Sequence, residues 1–553
     1  MPTSDPCPAS VSAPLHRRRA VARRLLIALA VLALLPVALV RRSVARGDYE
    51  GAVKSVALDL ERPDALVRTR SLSELPRDLL GVPLFRDLLS EDFVFYYEGD
   101  PDRMGLQGSL RRIAYEHDLR WRDDFVAWVL DQPAEIALWR STDGRLRHWL
   151  IAMTRGPLAR VVEEAAAFAA GDRQLTQAAV LNVDGKERPV LALEYAPDRT
   201  LLVVASGDRV VVLSDPGVLL GENRAPSAGA AAVVTRLVSA DRTGRAVYDH
   251  AFRLDSSVDH SVVVGLHYAS FGYQRFFPGI EALRFDFGQG AWSTYALFDG
   301  SRLPAAGWSE SGLWTALPAN PAFCALLPVD WKSGAGVLEG AALGGSAAVL
   351  ERLEGPAAVC WYARGLLQAP LFAAAFKSTP PEPLLQGLFK WAVAGARAEG
   401  AVRTQRVRGG VRWQRRISVP YAGISAEGEP ELGPLDVALA RSGRFVLFSP
   451  DGQLVKRALA TLDKRYPSVA DTLPGDGVTL AVLTPARLAE LAKRDALLML
   501  PRGSEPLFRG AAERLLLPRL ATMARYPARR LVLADAGPSP NGWQAVTWQE
   551  LAP

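Results

Sequence analysis

Apolar runs of strand length recur along this chain, in pairs separated by short polar turns and followed by stretches with helical spacing. AEIALWR-STDG-RLRHWLIAMT (134–154), TLLVVA-SGD-RVVVLSDPGVLL (200–220) and VALAR-SG-RFVLFSPDGQLVKRALATL (437–462) each read as strand, turn, strand and then helix. VTLAVLTPARLAELAK (478–493) is a shortened version with one strand. In each unit the strand before the helix ends at a hydroxyl residue (Thr154, Ser214, Ser449, Thr484), with proline or Gly-Pro close behind. A hydroxyl N-cap and a first-turn proline start helices well, and Ser-Gly or Asp-Gly suits tight hairpins. The pattern predicts an α+β fold of duplicated hairpin-plus-helix modules, forming sheets with helices on one face and preceded by one N-terminal transmembrane helix.

Elsewhere the periodicity predicts a first strand at VKSVALDL (53–60), a helix led by Ser73, a strand at DFVFYYE (92–98) and a helix at 103–121. HSVVVGLHYASF, ALRFDFG and WSTYALFDG read as antiparallel strands, and LLQAPLFAAAF and LLQGLFKWAVAGARA as helices. Proline- and glycine-rich stretches at 221–232, 377–383 and 426–434 read as linkers. The expected organisation is a cytoplasmic tail without regular structure (1–24), an anchor (25–40), an N-terminal α+β lobe (47–225), a middle β-rich and helical region (226–400) and a C-terminal α+β lobe (401–553).

The anchor is LLIALAVLALLPVALV, sixteen residues without a charge, closed by Arg17, Arg18, Arg19, Arg23 and Arg24 before it and Arg41, Arg42 and Arg46 after it. As a helix it would be about 24 Å long, against a bilayer core of roughly 30 Å, a deficit that snorkelling arginines and local thinning absorb. The excess of arginine before the run favours a cytoplasmic N-terminus, with the bulk of the chain in the periplasm of a bacterial inner-membrane protein. A cleaved signal peptide is the rival reading, with Ser43-Val44-Ala45 as a loose cleavage site. A buried core helix is the third, disfavoured because soluble helices rarely lack a polar face for so long.

Charge confirms that division and removes one class of function. The net charge of +6 belongs to residues 1–46, which hold eight arginines and one aspartate; the remainder carries 57 basic and 58 acidic residues. Without a basic stripe the globular part is not expected to bind nucleic acid. Of three cysteines, Cys324 and Cys360 would lie in an oxidising compartment and are candidates for a disulfide, two buried thiols being the alternative. The chain has no CxxC, G-x-S-x-G, HExxH or P-loop, and GAGVLEG (334–340) misses dinucleotide spacing. His250, His260 and His267 fit no metal motif. No catalytic residue, metal ligand or cofactor is therefore assigned. Two stretches, Tyr96, Tyr97 and Glu98 and then Tyr273, Gln274 and Arg275 running into Phe276 and Phe277, combine aromatic and polar side chains and are the candidate partner surface.

SLSELPRDLL (71–80), EDFVFYYEGDPDRMGLQGSLRRIAYEHDL (91–119), QPAEIALWR (132–140) and SFGYQRFFPGIEALRFDFG (270–288) resemble the YfaA-like bacterial envelope proteins, a family built on a domain of unknown function. The resemblance implies a membrane-anchored envelope protein, and it implies an α2-macroglobulin-like protein as a neighbour, since members tend to be encoded beside one. It carries no catalytic residues with it. The expectation is a single-pass inner-membrane protein whose periplasmic part is a non-enzymatic binding or accessory factor. The alternative is a periplasmic enzyme acting on peptides or peptidoglycan with dispersed catalytic residues.

Overall fold

The computed structural model describes residues between 49 and 551, apart from 87–131, 155–174, 500–509 and shorter breaks. Its first part contributes β1 (Ala65–Thr69), β2 (Ala134–Arg140), β3 (Leu146–Thr154), β4 (Leu175–Val183), β5 (Lys186–Ala196), β6 (Arg199–Ser206), β7 (Arg209–Leu213), β8 (His260–Gly265), β9 (Ile280–Gly288) and β10 (Ala291–Phe298). The second contributes β11 (Phe323–Leu327), β12 (Leu353–Trp361), β13 (Leu371–Phe376), β14 (Arg397–Val407), β15 (Gly410–Ile424), β16 (Pro430–Ser442), β17 (Phe445–Ser449), β18 (Val478–Leu483), β19 (Arg529–Leu533) and β20 (Gly542–Glu550). Among the described residues every strand pairing is antiparallel.

The pairings order the first half as β4-β5-β6-β7-β3-β2-β1-β8-β9-β10. The second half runs β14-β15-β16-β17-β13-β12-β11-β18-β19-β20, the same order with every strand number raised by ten. The halves join through β10 and β20, themselves equivalent and antiparallel, with Ala296 opposite Gln544 at the centre. Two equivalent strands pairing antiparallel is the contact a two-fold axis generates, so the chain is built like a dimer fused into one polypeptide.

The expected fold is corrected on two counts. The repeated unit is a ten-strand half and not a hairpin plus helix, and the strands form one continuous antiparallel sheet that dominates over helices. Among the described residues no helix is long and apolar enough to cross a membrane; the run at 25–40 lies outside them. LFAAAF, read as helical, is strand β13, because it is paired on both sides and apolar residues there meet core on both faces. Residues 53–60 run alongside the sheet without joining it, tied by the Val56 amide to the Gly217 carbonyl at 2.9 Å.

Helices cover the sheet where apolar residues recur at helical spacing: α1 (Leu75–Gly81), α2 (Ala228–Val238), α3 (Val247–Phe252), α4 (Leu266–Ala269), α5 (Glu382–Ala392), α6 (Gly452–Leu462) and α7 (Pro485–Met499). In α6, Leu454, Val455, Ala458 and Leu459 make the buried stripe. Its N-cap is Asp451, which accepts the Gln453 amide at 2.9 Å, while Ser449 holds the Asp451 amide one step earlier. Asp215 takes the same role after β7, where Ser214 instead accepts the Trp149 amide. The carboxylates, not the expected hydroxyls, cap these turns. One core gathers β2, β3, β6 and β7 under α2 and α3, and another gathers β11–β13 under α6. A further cluster, with Phe298, Leu480, Leu533 and Val546, seals the junction of the halves.

Candidate functional site

A cleft of about 660 Å³ opens in the first half, between α3, the turn before β1, α4 and the start of β9. That volume lies in the range of about 300–1,000 Å³ usual for ligand sites. Its back wall is α3, only six residues long and held from two directions. Asp249 is bound by the Arg68 guanidinium, which also donates to Glu135 at 2.6 and 2.9 Å. Trp543 of β20 donates its indole N–H to the carbonyls of Phe252 (2.8 Å) and Arg253 (3.0 Å). Arg253 ends the helix in the left-handed region, at φ 49° and ψ 47°, a conformation uncommon for a residue with a Cβ. A strand from the far half thus fixes a strained wall residue of this cleft.

The opposite wall is a polar relay. Asp64 Oδ2 accepts the Arg140 amide at 2.7 Å, and the Arg140 guanidinium reaches His267 Nε2 on α4. At the mouth stand two ion pairs, Arg236 with Glu61 and Arg253 with Glu281, the second at 3.4 Å. Beyond α4 the chain turns through Gly272, whose φ of 83° suits glycine, into a hook at Tyr273–Phe276. Gln274 lines the cleft, its backbone N–H donating to Ser270 Oγ (2.8 Å) and its side-chain amide to the Ile280 carbonyl (3.2 Å). Tyr273, 61% exposed, stacks on Phe276, and Arg275 lies 5.0 Å over the same ring.

Beneath the cleft a polar row crosses four neighbouring strands, because Glu135, Arg68, Ser261 and Asp286 are register partners in turn. Ser261 donates to Asp286, which also lies 3.1 Å from Arg284 Nε. The Arg284 guanidinium is sandwiched 4.3 Å from Tyr295 and 4.9 Å from Trp543. Burial lowers the Arg68 pKa, but Glu135 and Asp249 outweigh it and hold the guanidinium above its ordinary value. Burial, then the Glu135 charge, pushes the Tyr248 phenol up, and its hydroxyl finds no partner among the described residues.

A third cluster has the order of a nucleophilic triad: Asp78 Oδ2 lies 3.1 Å from His260 Nε2, and His260 Nδ1 lies 2.8 Å from Thr69 Oγ1. Thr69 is 2% exposed and His260 is fully buried, with Phe287 stacked on its ring. The Thr69 hydroxyl donates to the Ser71 carbonyl at 2.7 Å and accepts the Ser71 amide. A substrate has no path to that oxygen through the described residues. The cluster braces β1, β8 and α1.

The second half supplies an internal comparison. Ala65 pairs Leu138 and Val264 as Phe323 pairs Trp361 and Leu483, which aligns the two copies residue by residue. Arg68 and Glu135 then correspond to Leu326 and Ala358, themselves register partners. Asp64, Arg140 and His267 correspond to Ala322, Ala363 and Ala486. One copy is polar where the other is apolar, and the polar copy has the cleft.

Of the residues expected to form a partner surface, Tyr273, Gln274 and Arg275 sit together in the turn after α4, and Gln274 lines the cleft. Tyr96, Tyr97 and Glu98 lie outside the described residues. Cys324 and Cys360 are register partners in β11 and β12 and are disulfide-bonded. The relay Asp64–Arg140–His267 comes from three separate segments, and no local spacing marks it.

A family model described as an uncharacterized protein conserved in bacteria (DUF2138) matches residues 23–549. The chain belongs to that family. It is 32% identical over 520 residues to the uncharacterized protein YfaA of Escherichia coli (strain K12), covering 90% of this chain and 91% of that one. Among solved structures, crystal form IV of TP0453 aligns at a TM-score of 0.20 with 8% identity, over 44% of this chain and 80% of that one, too weak to carry an argument about fold. Membership of the DUF2138 family brings no activity with it.

Proposed function

We propose that this DUF2138 protein is a binding or accessory factor of the bacterial envelope, held at the inner membrane with its bulk in the periplasm, and that it docks a partner on the face formed by the hook and the cleft mouth. The observation that carries the reading is the pair of exposed residues Tyr273 and Arg275, flanking Phe276 on a hook whose Gln274 lines a cleft of ligand size. Tyrosine and arginine are the residues that concentrate binding energy at interfaces, and here both are exposed on one turn. The arginine-flanked apolar run at 25–40 supports the localisation, and the Cys324–Cys360 bond is of a kind that persists in oxidising compartments. An α2-macroglobulin-like envelope protein is the first candidate partner, on the resemblance described above.

The test is a photo-crosslinking residue placed at position 273 in living cells, with Leu432, an exposed residue of the second half, as the control position. An adduct with the α2-macroglobulin-like protein from position 273 and none from 432 is the expected result. No adduct from 273, or equal adducts from both, overturns the docking face.

A further inference from the structure

We infer that the first-half cleft accepts an extended segment of polypeptide that presents an apolar side chain flanked by charges of both signs. This rests on the binding reading above and names the chemistry of what is bound.

The charges argue for it first. Three acidic residues (Glu61, Asp64, Glu281) and three arginines (Arg62, Arg236, Arg253) line the cavity, two of each paired at its mouth. A small anion such as phosphate would meet a carboxylate beside Arg236 and beside Arg253, and a small cation the reverse. A ligand carrying both signs at a spacing set by the rim is favoured by the same field. The rim pairs Arg236–Glu61 and Arg253–Glu281 are substantially exposed, so water already competes for them and exchange for a ligand's charges is inexpensive.

The floor argues for it next. Val247, Phe252, Ala282 and Leu297 close the bottom of the cavity with apolar surface, room for a side chain rather than for a polar headgroup. The wall is pre-organised: Arg253 is held in its left-handed conformation by Trp543, and α3 by Arg68, so little ordering is left for the binding step. The internal copy is the third argument. The second half has alanine at the positions of Asp64, Arg140 and His267, so the scaffold does not require those charges for folding, and their presence in one copy marks that copy as the one that binds.

A random peptide library displayed on phage and panned against the full-length protein in lipid nanodiscs tests this. Expected is enrichment of sequences with an aliphatic or aromatic residue between an acidic and a basic one. Filling the cavity with Ala251→Trp, or with the exposed His250→Trp should the first variant not fold, lowers enrichment about tenfold or more, equivalent to 1.4 kcal/mol. The double exchange Glu61→Arg with Arg236→Glu retains the pair and reverses the preferred order of charges in the selected peptides. No enrichment, a motif of one sign only, or enrichment that survives a folded cavity-filling variant overturns the inference. In those cases a persisting crosslink from position 273 leaves the docking face standing and removes only the cleft, whereas loss of both removes both.

Discussion

The second half provides a template for testing what the buried ions of the first half do. Arg68 and Glu135 retain only 17% and 16% of their side-chain exposure, and Leu326 and Ala358 occupy the matching positions. Arg68→Leu alone strands the Glu135 carboxylate beside the Tyr248 ring. Breaking a buried pair costs about 3–5 kcal/mol, and the residual exposure points to the lower end, about 3 kcal/mol. Glu135→Ala alone leaves Arg68 its second acceptor, Asp249, so the loss should be smaller, about 1–2 kcal/mol. The double variant, which writes the second half's residues into the first, removes both desolvation penalties together. It should lie within about 1–2 kcal/mol of the parent, with Asp249 exposed enough to be hydrated. The cycle therefore predicts a coupling of about 3 kcal/mol in the direction of mutual rescue. Urea unfolding followed by tryptophan fluorescence reads it, taken on the transition that the single variants shift, because a chain of 553 residues need not unfold in one step. If the double variant is as destabilised as the two singles added together, the pair is not an offset charge pair and the equivalence of the halves fails as a guide to energetics. If it is stable yet loses the position-273 crosslink, the row's role is to hold α3.

Two further outcomes follow from other parts of the fold. Arg530 is almost fully buried and donates to Asp476 Oδ1 (2.7 Å) and Gln549 Oε1 (2.6 Å); the hydrogen bond from Arg530 holds the Asp476 carboxyl below its ordinary value. A depressed folded pKa means stability that is complete above the unfolded carboxylate value of about 3.9 and lost as pH falls through the folded one. Asp476→Asn should flatten the acid limb of a melting-temperature profile below about pH 4 without shifting the limb above pH 6, and an unchanged acid limb would falsify the assignment. Reducing the Cys324–Cys360 bond, or replacing Cys324 by serine, opens a loop of sequence separation 36 and should destabilise the second half by about 4 kcal/mol on chain entropy; a melting curve insensitive to reductant counts against it.

What local pattern determined was the strands and turns. TLLVVAS and RVVVL are paired on both sides and almost wholly buried, and their near-continuous apolar runs show it without any coordinates. Tyr273, Gln274 and Arg275 stood out in the chain as an aromatic and polar stretch, but that they share one exposed turn was decided by the fold. LFAAAF was not legible: alanine-rich apolar residues satisfy helical and extended periods equally, and only pairing with β12 and β17 decides between them. The ten-strand repeat was likewise hidden, since two copies can keep register and topology while Arg68 becomes Leu326 and Glu135 becomes Ala358. Hydrogen bonds of the backbone set the order of strands, and they carry no side-chain signature to compare. The cleft is the extreme case. Asp64, Arg140 and His267 come from separate segments that meet because β1 pairs with β2 and β8, and Trp543 joins them only because β20 returns to pair with β10, so the site's composition came from the sequence and its existence from the pairing of the strands.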